Sequence, residues 1–155
     1  MRRSLGFTLI ELMVTIAVLA VIAMIAAPSF SSMIKNQRLK QSMTEVKNGI
    51  MDARSRAILT RSNTVFCPNT VSVADCGANI TGYSSLNNVQ KIDSVFIGKI
   101  NTGITIKSNS ANNFVFNPQG TLDSEKNITL CANNKSFGIQ VYRFGGISIN
   151  EGSSC

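Results

Sequence analysis

The sequence contains no histidine and no tryptophan, and only 15% of its residues are charged. Without histidine there is no Ser-His-Asp or Cys-His arrangement, no histidine general base and no histidine-ligated metal. The eight acidic residues are scattered, and only Asp123 and Glu125 lie close together, without the other ligands that a calcium loop needs. The composition therefore predicts a protein that is not an enzyme and that holds no metal or cofactor.

Acidic residues are few relative to basic ones. Fifteen Lys and Arg against eight Asp and Glu give a formal net charge of +7 over 155 residues, a length that suits one domain with a modest core. Because the charged fraction is well below that of an ordinary soluble protein, apolar residues must be concentrated in one part of the chain.

The apolar residues are concentrated near the N-terminus, from Phe7 to Ala27. This run of 21 residues is interrupted only by Thr8, Glu11 and Thr15. As a helix it would be roughly 31 Å long, which matches a hydrocarbon core of about 30 Å. The preceding Arg2 and Arg3 would stay on the cytoplasmic side, so the run predicts a single membrane span with the rest of the chain across the membrane.

A secretory signal peptide is the alternative interpretation of this segment, since it too has a basic start, an apolar stretch and small residues at its end. Two observations count against it. The run exceeds the usual apolar region of about 7 to 15 residues. It also carries Glu11, whose carboxylate would cost on the order of 2.5 to 3.5 kcal/mol near a bilayer centre.

The segment Gly6-Phe7-Thr8-Leu9-Ile10-Glu11-Leu12, with a short basic leader before it and Pro28 at the end of the span, resembles the N-terminus of type IV pilins and pseudopilins. The resemblance implies a leader over residues 1–6, which a prepilin peptidase and methyltransferase removes between Gly6 and Phe7 before it methylates the Phe7 amine. It further implies an assembly helix over residues 7–28, in which Glu11 meets the Phe7 amine of a neighbouring subunit.

Physical chemistry makes this role for Glu11 reasonable, because an acid and an amine that are each costly in hydrocarbon relieve one another when they pair. The alternative is a carboxylate in the first helical turn, stabilised by the helix dipole. Pro28 removes a helix hydrogen bond and is expected to kink the helix where the apolar run ends.

Beyond Pro28 an amphipathic helix is expected over residues 29–61. Apolar residues recur there at spacings of three and four, which predicts one buried stripe. The stripe consists of Leu39, Met43, Val46, Ile50, Ala53 and Ala57. If the helix is continuous from Phe7, it has about 53 residues and is roughly 80 Å long.

Four basic residues recur every seven positions along this helix: Lys40, Lys47, Arg54 and Arg61. They predict a basic ribbon beside the apolar stripe. The ribbon is a candidate interaction surface for acidic neighbours in a filament, anionic headgroups or DNA phosphates, and the alternative is a solvated helix face. Asp52 and Arg56 have the spacing of a helical ion pair.

Residues 62–155 are expected to form a β-sheet domain. Short β-rich runs separated by turn residues predict six or seven antiparallel strands. The runs are Thr64 to Cys67, Val95 to Ile100, Ile104 to Lys107, Phe114 to Phe116, Ile128 to Cys131, Phe137 to Tyr142 and Ile147 to Ile149. Pro68 to Gln90 is predicted to be an irregular surface loop. The fold class is therefore α+β, with the long helix packed on an antiparallel sheet.

The four cysteines are Cys67, Cys76, Cys131 and Cys155. An even number beyond a membrane anchor predicts disulfides in an oxidising compartment. Three pairings are possible, of which Cys67 with Cys76 and Cys131 with Cys155 is favoured. A zinc site is the rival, but no C-x2-C spacing supports it.

The sheet half resembles the H-type pseudopilins and the FimU/FimT minor pilins through the segment Phe114 to Gly120 and the following cysteine-bearing strand. DNA-binding members of that branch carry a G-R-x-R motif in the last hairpin. The corresponding positions here are Gly145-Gly146-Ile147-Ser148, and both arginines are missing. The resemblance therefore makes nucleic acid a doubtful partner.

Taken together, these features predict a minor pilin of a type IV pilus, in the initiation or tip complex, that supports pilus assembly and twitching motility. Its implied partners are the prepilin peptidase, other minor pilins, the major pilin and the inner-membrane assembly platform. It would lie in the inner membrane with its C-terminal domain in the periplasm, and in the extracellular filament after assembly. An H-type pseudopilin of a type II secretion system and a DNA-binding pilus receptor are the alternatives.

Overall fold

The computed structural model describes residues 7–152 and residue 155, together with the side chains of this part except those of residues 26–28. The predicted leader and its cleavage site after Gly6 lie outside the described residues. The chain divides into two compact units, Met1–Ile34 and Lys35–Cys155.

The long predicted helix is present as α1, which runs from Leu9 to Thr60 over 52 residues. It begins where Thr8 caps the first turn, because the Thr8 Oγ1 accepts a hydrogen bond from the Glu11 amide at 3.3 Å. It ends at Thr60, and the positive φ of 50° at Arg61 turns the chain out of the helix. The Ser62 amide then donates to the Ala57 carbonyl at 3.3 Å, which closes the last turn.

In the N-terminal unit, every described side chain from Phe7 to Ile25 is exposed, and most of them are apolar. No single helix within the described part of the chain is long and apolar enough to cross a membrane. By length and composition, the bent pair of segments Leu9–Ile25 and Ser29–Thr60 meets that requirement together. The predicted kink at Pro28 stays a prediction, since the Pro28 side chain lies outside the described part.

As far as the structure describes it, the C-terminal unit contains two sheets and two short α-helices besides the last part of α1. The elements in chain order are β1 (Thr64–Pro68), α2 (Val73–Gly77), a 3-10 turn (Tyr83–Ser85), α3 (Asn88–Ser94), β2 (Val95–Gly98), β3 (Thr105–Ile106), β4 (Phe114–Phe116), β5 (Lys126–Ala132), β6 (Lys135–Val141) and β7 (Ile147–Gly152). The three-stranded sheet has the order β2-β1-β4, and the four-stranded sheet has the order β3-β5-β6-β7. The α+β fold class predicted from the sequence is confirmed.

Two details of the sheet prediction are wrong. Strands β1 and β2 run parallel, with Val65 opposite Val95, whereas the sequence pattern predicts antiparallel pairs throughout. The segment Pro68 to Gln90, predicted to be an irregular loop, instead contains α2, the 3-10 turn and the start of α3. A helical crossover returns the chain to the same end of the sheet and so permits a parallel neighbour.

The apolar stripe of α1 packs in the main core of this unit. Leu39, Val46, Ile50, Ala53 and Ala57 are fully buried, and Met43 packs against them. Their partners are apolar side chains of both sheets: Phe66, Phe114, Phe116, Ile128, Leu130, Phe137, Ile139 and Val141. The predicted stripe therefore coincides with the buried face of α1.

The ring of Phe66 fills the space between two glycines, one on α1 and one on β2. A Cβ added at Gly49 would lie within 3 Å of two ring carbons, and so would a Cβ added at Gly98. Gly49 costs about 1 kcal/mol of helix stability relative to alanine. Its position opposite Phe66 explains why glycine is found here despite this cost, since a larger residue would separate α1 from β1.

Two disulfides connect the four cysteines, Cys67 with Cys76 and Cys131 with Cys155, at Cα–Cα distances of 6.0 and 5.8 Å. These are the pairs that the sequence analysis favours. The first joins β1 to α2 within a small second core that also contains Val65 and Ile80. The second joins β5 to Cys155, beyond the end of β7.

We expect Gly49→Ala to destabilise the chain by about 1 to 2 kcal/mol, because overpacking against Phe66 exceeds the gain in helix propensity. Chemical unfolding of the purified chain measures the difference. Asn48→Ala on the exposed side of the same turn is the matched control and should be neutral or slightly stabilising. A gain for Gly49→Ala equal to that of the control would contradict the close packing.

Arg61→Gly should stabilise the chain by about 1 kcal/mol, since glycine adopts the left-handed conformation without the clash of a Cβ with the backbone. The shift in unfolding midpoint checks this expectation. Arg61→Ala removes the same charge but keeps the Cβ, so it should show no such gain. Equal stabilisation by both variants would mean that the charge, and not the backbone, is responsible.

Candidate assembly and interaction surfaces

The start of α1 carries the two residues to which the sequence assigns processing and assembly, Phe7 and Glu11. The Phe7 side chain is 80% exposed, and Glu11 lies in the first turn on an exposed surface. Thr8 and Glu11 occupy the first and fourth positions of a T-x-x-E pattern, which is typical of a helix N-terminus. Since Thr8 supplies the cap, the Glu11 carboxylate is not required for that hydrogen bond.

An acidic group in the first turn is favourable by itself, because the helix dipole is positive there. This agrees with the local interpretation of Glu11, and it is also compatible with pairing to a second chain. The assembly role of Glu11 and the methylation of Phe7 therefore stay predictions.

The four residues of the predicted basic ribbon lie in different environments. Lys40 is exposed and Lys47 is half-buried on α1. Arg54 is half-buried, and its guanidinium donates to the Gly120 carbonyl at 3.0 Å and to the Phe144 carbonyl at 3.1 Å. Arg61 lies beyond the last helical residue. The heptad spacing therefore does not correspond to a row of four freely solvated cations.

Arg54 fastens α1 to two turns that are distant in sequence. One is the turn Asn117 to Gly120, which the Asn117 side chain holds by accepting hydrogen bonds from the amides of Gln119 and Thr121. The other is the β6–β7 hairpin, in which Gly145 has a φ of 82°. A Cβ at Gly145 would lie 2.2 Å from the Arg54 Nε, so this glycine permits the contact.

Arg56 is also engaged, and its partner is not the one that helical spacing suggests. Its guanidinium forms an ion pair with Asp93 of α3 at 2.5 Å, rather than with Asp52 one turn away. Both side chains are about two-fifths exposed, so the pair serves more to orient α3 than to stabilise the fold. Sequence reasoning missed this contact because it predicted no helix at residues 88–94, where α3 places Asp93.

The tip of the β6–β7 hairpin carries a stacked aromatic pair. The rings of Tyr142 and Phe144 are parallel, with an interplanar angle of 2° and centroids 5.6 Å apart. Phe144 is 66% exposed, and Arg143 between them is exposed as well. This is the hairpin in which the sequence lacks both arginines of the DNA-binding motif.

An open cavity of about 410 Å³ lies next to β4 and is lined mainly by polar side chains, among them Asn63, Asn79, Asp123 and Lys126. Burial lowers the pKa of Lys126, and the nearby Asp123 carboxylate offsets part of this effect. The Lys126 ammonium donates to the Asn113 carbonyl at 3.1 Å. Within residues 7–152 and 155, no group of three or more acidic or cysteine side chains is placed to hold a metal ion.

Known protein families match both the N-terminal segment and the C-terminal domain of the chain. The family described as "Prokaryotic N-terminal methylation motif" matches residues 1–27, and the family described as "Type II transport protein GspH" matches residues 43–145. The chain belongs to the GspH family. It is a protein of the type IV pilin and pseudopilin class, of the GspH/FimT type. Searches of curated proteins and of solved structures give no significant match.

The GspH match begins at Met43 and ends at Gly145, so it includes α1 from Met43 onward, the three-stranded sheet and strands β3, β5 and β6, whereas β7 lies beyond its end. The family consists of structural subunits, and the N-terminal motif is that of chains processed by a prepilin peptidase and assembled with other pilins. Such a chain is anchored in a membrane through its N-terminal helix.

We expect Arg54→Ala to destabilise the chain by about 1 to 2 kcal/mol, because two carbonyls lose a charged donor. Lys47→Ala, one heptad earlier, removes the same charge without these bonds and should change the unfolding free energy by less than about 0.5 kcal/mol. Urea unfolding of both variants checks the difference. Arg54→Lys should resemble Arg54→Ala, since lysine lacks the forked donor geometry, and full retention of stability in Arg54→Lys would refute this account.

Proposed function

We propose that the chain is a minor subunit of a type IV pilus, without catalytic activity of its own. The observation that carries the proposal is the contrast within α1. Apolar side chains are exposed from Phe7 to Ile25, while the apolar stripe from Leu39 to Ala57 packs in the core of a folded domain. An exposed apolar helix of this length is stable only in lipid or among similar helices, and a filament subunit meets both environments in turn.

Assembly then consists of transfer of this helix from the bilayer into a bundle of neighbouring pilin helices. Lipid and the bundle are both apolar, so burial of apolar surface alone does not favour one over the other. A specific polar contact supplies the preference. Pairing of the Glu11 carboxylate with the methylated Phe7 amine of a neighbour would remove the cost of both groups in hydrocarbon and would set the register between subunits.

The segment Phe114 to Gly120, which resembles H-type pseudopilins and FimU/FimT minor pilins alike, supports a minor rather than a major subunit. In the structure this segment is β4 and the turn that Asn117 organises. A pseudopilin of a type II secretion system is the second candidate, and the description of the matching family favours it. Deletion phenotypes separate the two candidates, since loss of twitching points to the pilus and loss of protein export to the secretion system.

A DNA receptor is a weaker hypothesis. Of the basic ribbon, Arg54 already donates to two backbone carbonyls, and the basic residues near the missing motif are Arg143 and Lys135. Tight binding to a duplex requires several phosphate contacts at once. We therefore expect the protein to cause no salt-sensitive shift of duplex DNA at moderate ionic strength.

The decisive measurement is the mass of the N-terminal peptide of the protein recovered from cells. We expect it to begin at Phe7 and to carry one additional methyl group on the amine. A peptide that begins after Ala27 would instead identify a secretory signal, and one that retains Met1 would exclude processing.

Glu11→Val should still be inserted and processed but should enter filaments poorly, because the neighbour's amine loses its partner. The measurement is the amount of the subunit in sheared filaments relative to the amount in membranes. Thr15→Val, one turn further along the same apolar helix, is the matched control and should assemble normally. Normal incorporation of the Glu11 variant would contradict the pairing.

A further inference from the structure

The exposed apolar surface of α1 continues beyond the predicted membrane span. Phe30 and Met33 are 64% and 69% exposed, and Ile34 is 38% exposed. The next residue is Lys35, with which the C-terminal unit begins. In a chain that is anchored through this helix, a change from apolar to basic side chains is expected at the level of the lipid headgroups.

Four exposed basic residues lie at the start of the C-terminal unit. We refer to them as the basic cluster, which consists of Lys35, Arg38, Lys40 and Lys99. The ion pairs among the described residues join Arg56 to Asp93 and Lys135 to Glu151, so none of the four has an acidic partner in this part of the chain. The cluster is therefore available to a ligand, unlike the engaged Arg54 and Arg56.

Lys99 reaches this end of the unit through the loop that follows β2. The Asn101 amide donates to the Ser42 Oγ at 3.0 Å, and the Asn101 side chain donates to the Arg38 carbonyl at 3.5 Å. Lys99 is two residues earlier in the chain, so its Cα lies within about 7 Å of the Asn101 Cα. The fold thus adds a fourth cation to the three on α1.

Acidic residues are absent from both segments that form the basic cluster. None occurs between Glu11 and Glu45, and none occurs between Asp93 and Asp123. Glu45 is the first acid after the α1 members of the cluster, and it lies more than one helical turn beyond Lys40. Neighbours along the chain therefore do not offset the positive charge of the cluster.

The dimensions of the cluster suit a charged surface at one level. Its members on α1 extend over about 7.5 Å along the helix axis, which is within the screening length of about 8 Å at physiological ionic strength. In an α-helix the Cα–Cβ bonds tilt toward the N-terminus. Long basic side chains on this part of α1 can therefore reach back toward the apolar segment that precedes them.

We propose that the basic cluster binds the phosphate groups of anionic phospholipids at the membrane surface. This inference goes beyond the proposed function and rests only on anchoring through the N-terminal helix, which a pilus subunit and a secretion pseudopilin share. Each basic residue near an anionic bilayer strengthens binding by about fivefold. The contact keeps the folded domain at the bilayer until the subunit leaves the lipid for a filament.

An acidic surface of a neighbouring protein is the other class of ligand for four cations. Lipid is favoured because the cluster directly follows the exposed Phe30, Met33 and Ile34. One bilayer supplies both the apolar contact for these side chains and the anionic contact for the cluster. An acidic protein surface would account for the charge alone.

The test is energy transfer from a single tryptophan to dansyl-labelled headgroups in lipid nanodiscs that hold the full-length chain. The sequence has no tryptophan, so Thr102→Trp places one reporter in the exposed loop beside Lys99. Transfer should be greater in discs with about 30% phosphatidylglycerol than in discs of phosphatidylcholine alone. The difference should disappear at about 1 M NaCl, where the screening length is about 3 Å.

A second reporter controls for changes that affect the whole domain. Gln119 is exposed in the turn that accepts the hydrogen bond from Arg54, near the other end of the buried helix. Gln119→Trp should therefore show little dependence on phosphatidylglycerol. An equal response of both reporters would contradict a contact made by the basic cluster.

Charge removal within the cluster tests its role directly. Lys35→Gln, Lys40→Gln and Lys99→Gln together should weaken the lipid contact by about a hundredfold and so abolish the effect of phosphatidylglycerol on the Thr102→Trp reporter. Circular dichroism checks that the variant is folded.

The matched control removes the same charge outside the cluster. It combines Lys47→Gln, Arg61→Gln and Arg143→Gln, and it should respond to phosphatidylglycerol like the unchanged chain.

Amide hydrogen exchange in the chain without a reporter provides an independent readout. Protection of residues 99–103 should rise with phosphatidylglycerol and fall again with salt. No dependence on anionic lipid, or a dependence that the cluster variant retains, would overturn the proposal. Poor entry of the cluster variant into filaments, with no lipid dependence in the unchanged chain, would assign the cluster to an acidic neighbour instead. An N-terminal peptide that retains Met1 would contradict the pilus proposal but not this one, so the two can fail separately.

Discussion

Burial of one face of α1 against two sheets is the interaction on which the folded domain depends. The stripe from Leu39 to Ala57 supplies a continuous apolar surface, and side chains from both sheets cover it. Because interiors are close-packed, the separation between helix and sheet depends on the side chains between them. Phe66 is one of these side chains, and Gly49 and Gly98 provide the space for its ring.

Once α1 is in place, its polar side chains organise elements that are far away in the sequence. Arg54 holds the turn at Gly120 and the hairpin at Phe144, while Arg56 orients α3 through Asp93. The buried Thr64 hydroxyl donates to the Ala53 carbonyl at 2.7 Å and so connects the start of β1 to the helix. One helix face therefore forms the core, and the residues that flank it determine where the turns lie.

Features of the fold that depend on residues close together in the sequence could be predicted better than contacts between distant residues. The long helix and its stripe follow from periodicity, and Cys67 and Cys76 are close enough in sequence to suggest their pairing. The crossover helices were missed, although each carries a local signal. Ser72 accepts a hydrogen bond from the Asp75 amide at the start of α2, and Asn87 and Gln90 form a capping box at the start of α3. Their surroundings are rich in Asn, Ser, Thr and Gly, and this composition concealed the caps.

The basic positions illustrate a more general limit. Heptad spacing places Lys40, Lys47 and Arg54 on one side of a helix, but it does not tell which of them are engaged. The partners of Arg54 lie 66 and 90 residues further along the chain, in turns whose positions depend on the fold. Only three-dimensional structure separates a cation that fastens the domain from one that is free to bind a partner.

The two ends of α1 are specified by different means, and the difference bears on Glu11. At the C-terminal end, Arg61 adopts a left-handed conformation that a glycine would adopt more easily, so the helix terminates there at some cost in stability. At the N-terminal end, Thr8 satisfies the Glu11 amide, and the carboxylate is not needed for the cap. The helix dipole favours an acid in this first turn, and pairing with a positive group of a neighbouring chain would further offset the cost of the carboxylate in lipid. The place of Glu11 at the helix start is therefore compatible with the proposed assembly role and does not by itself require it.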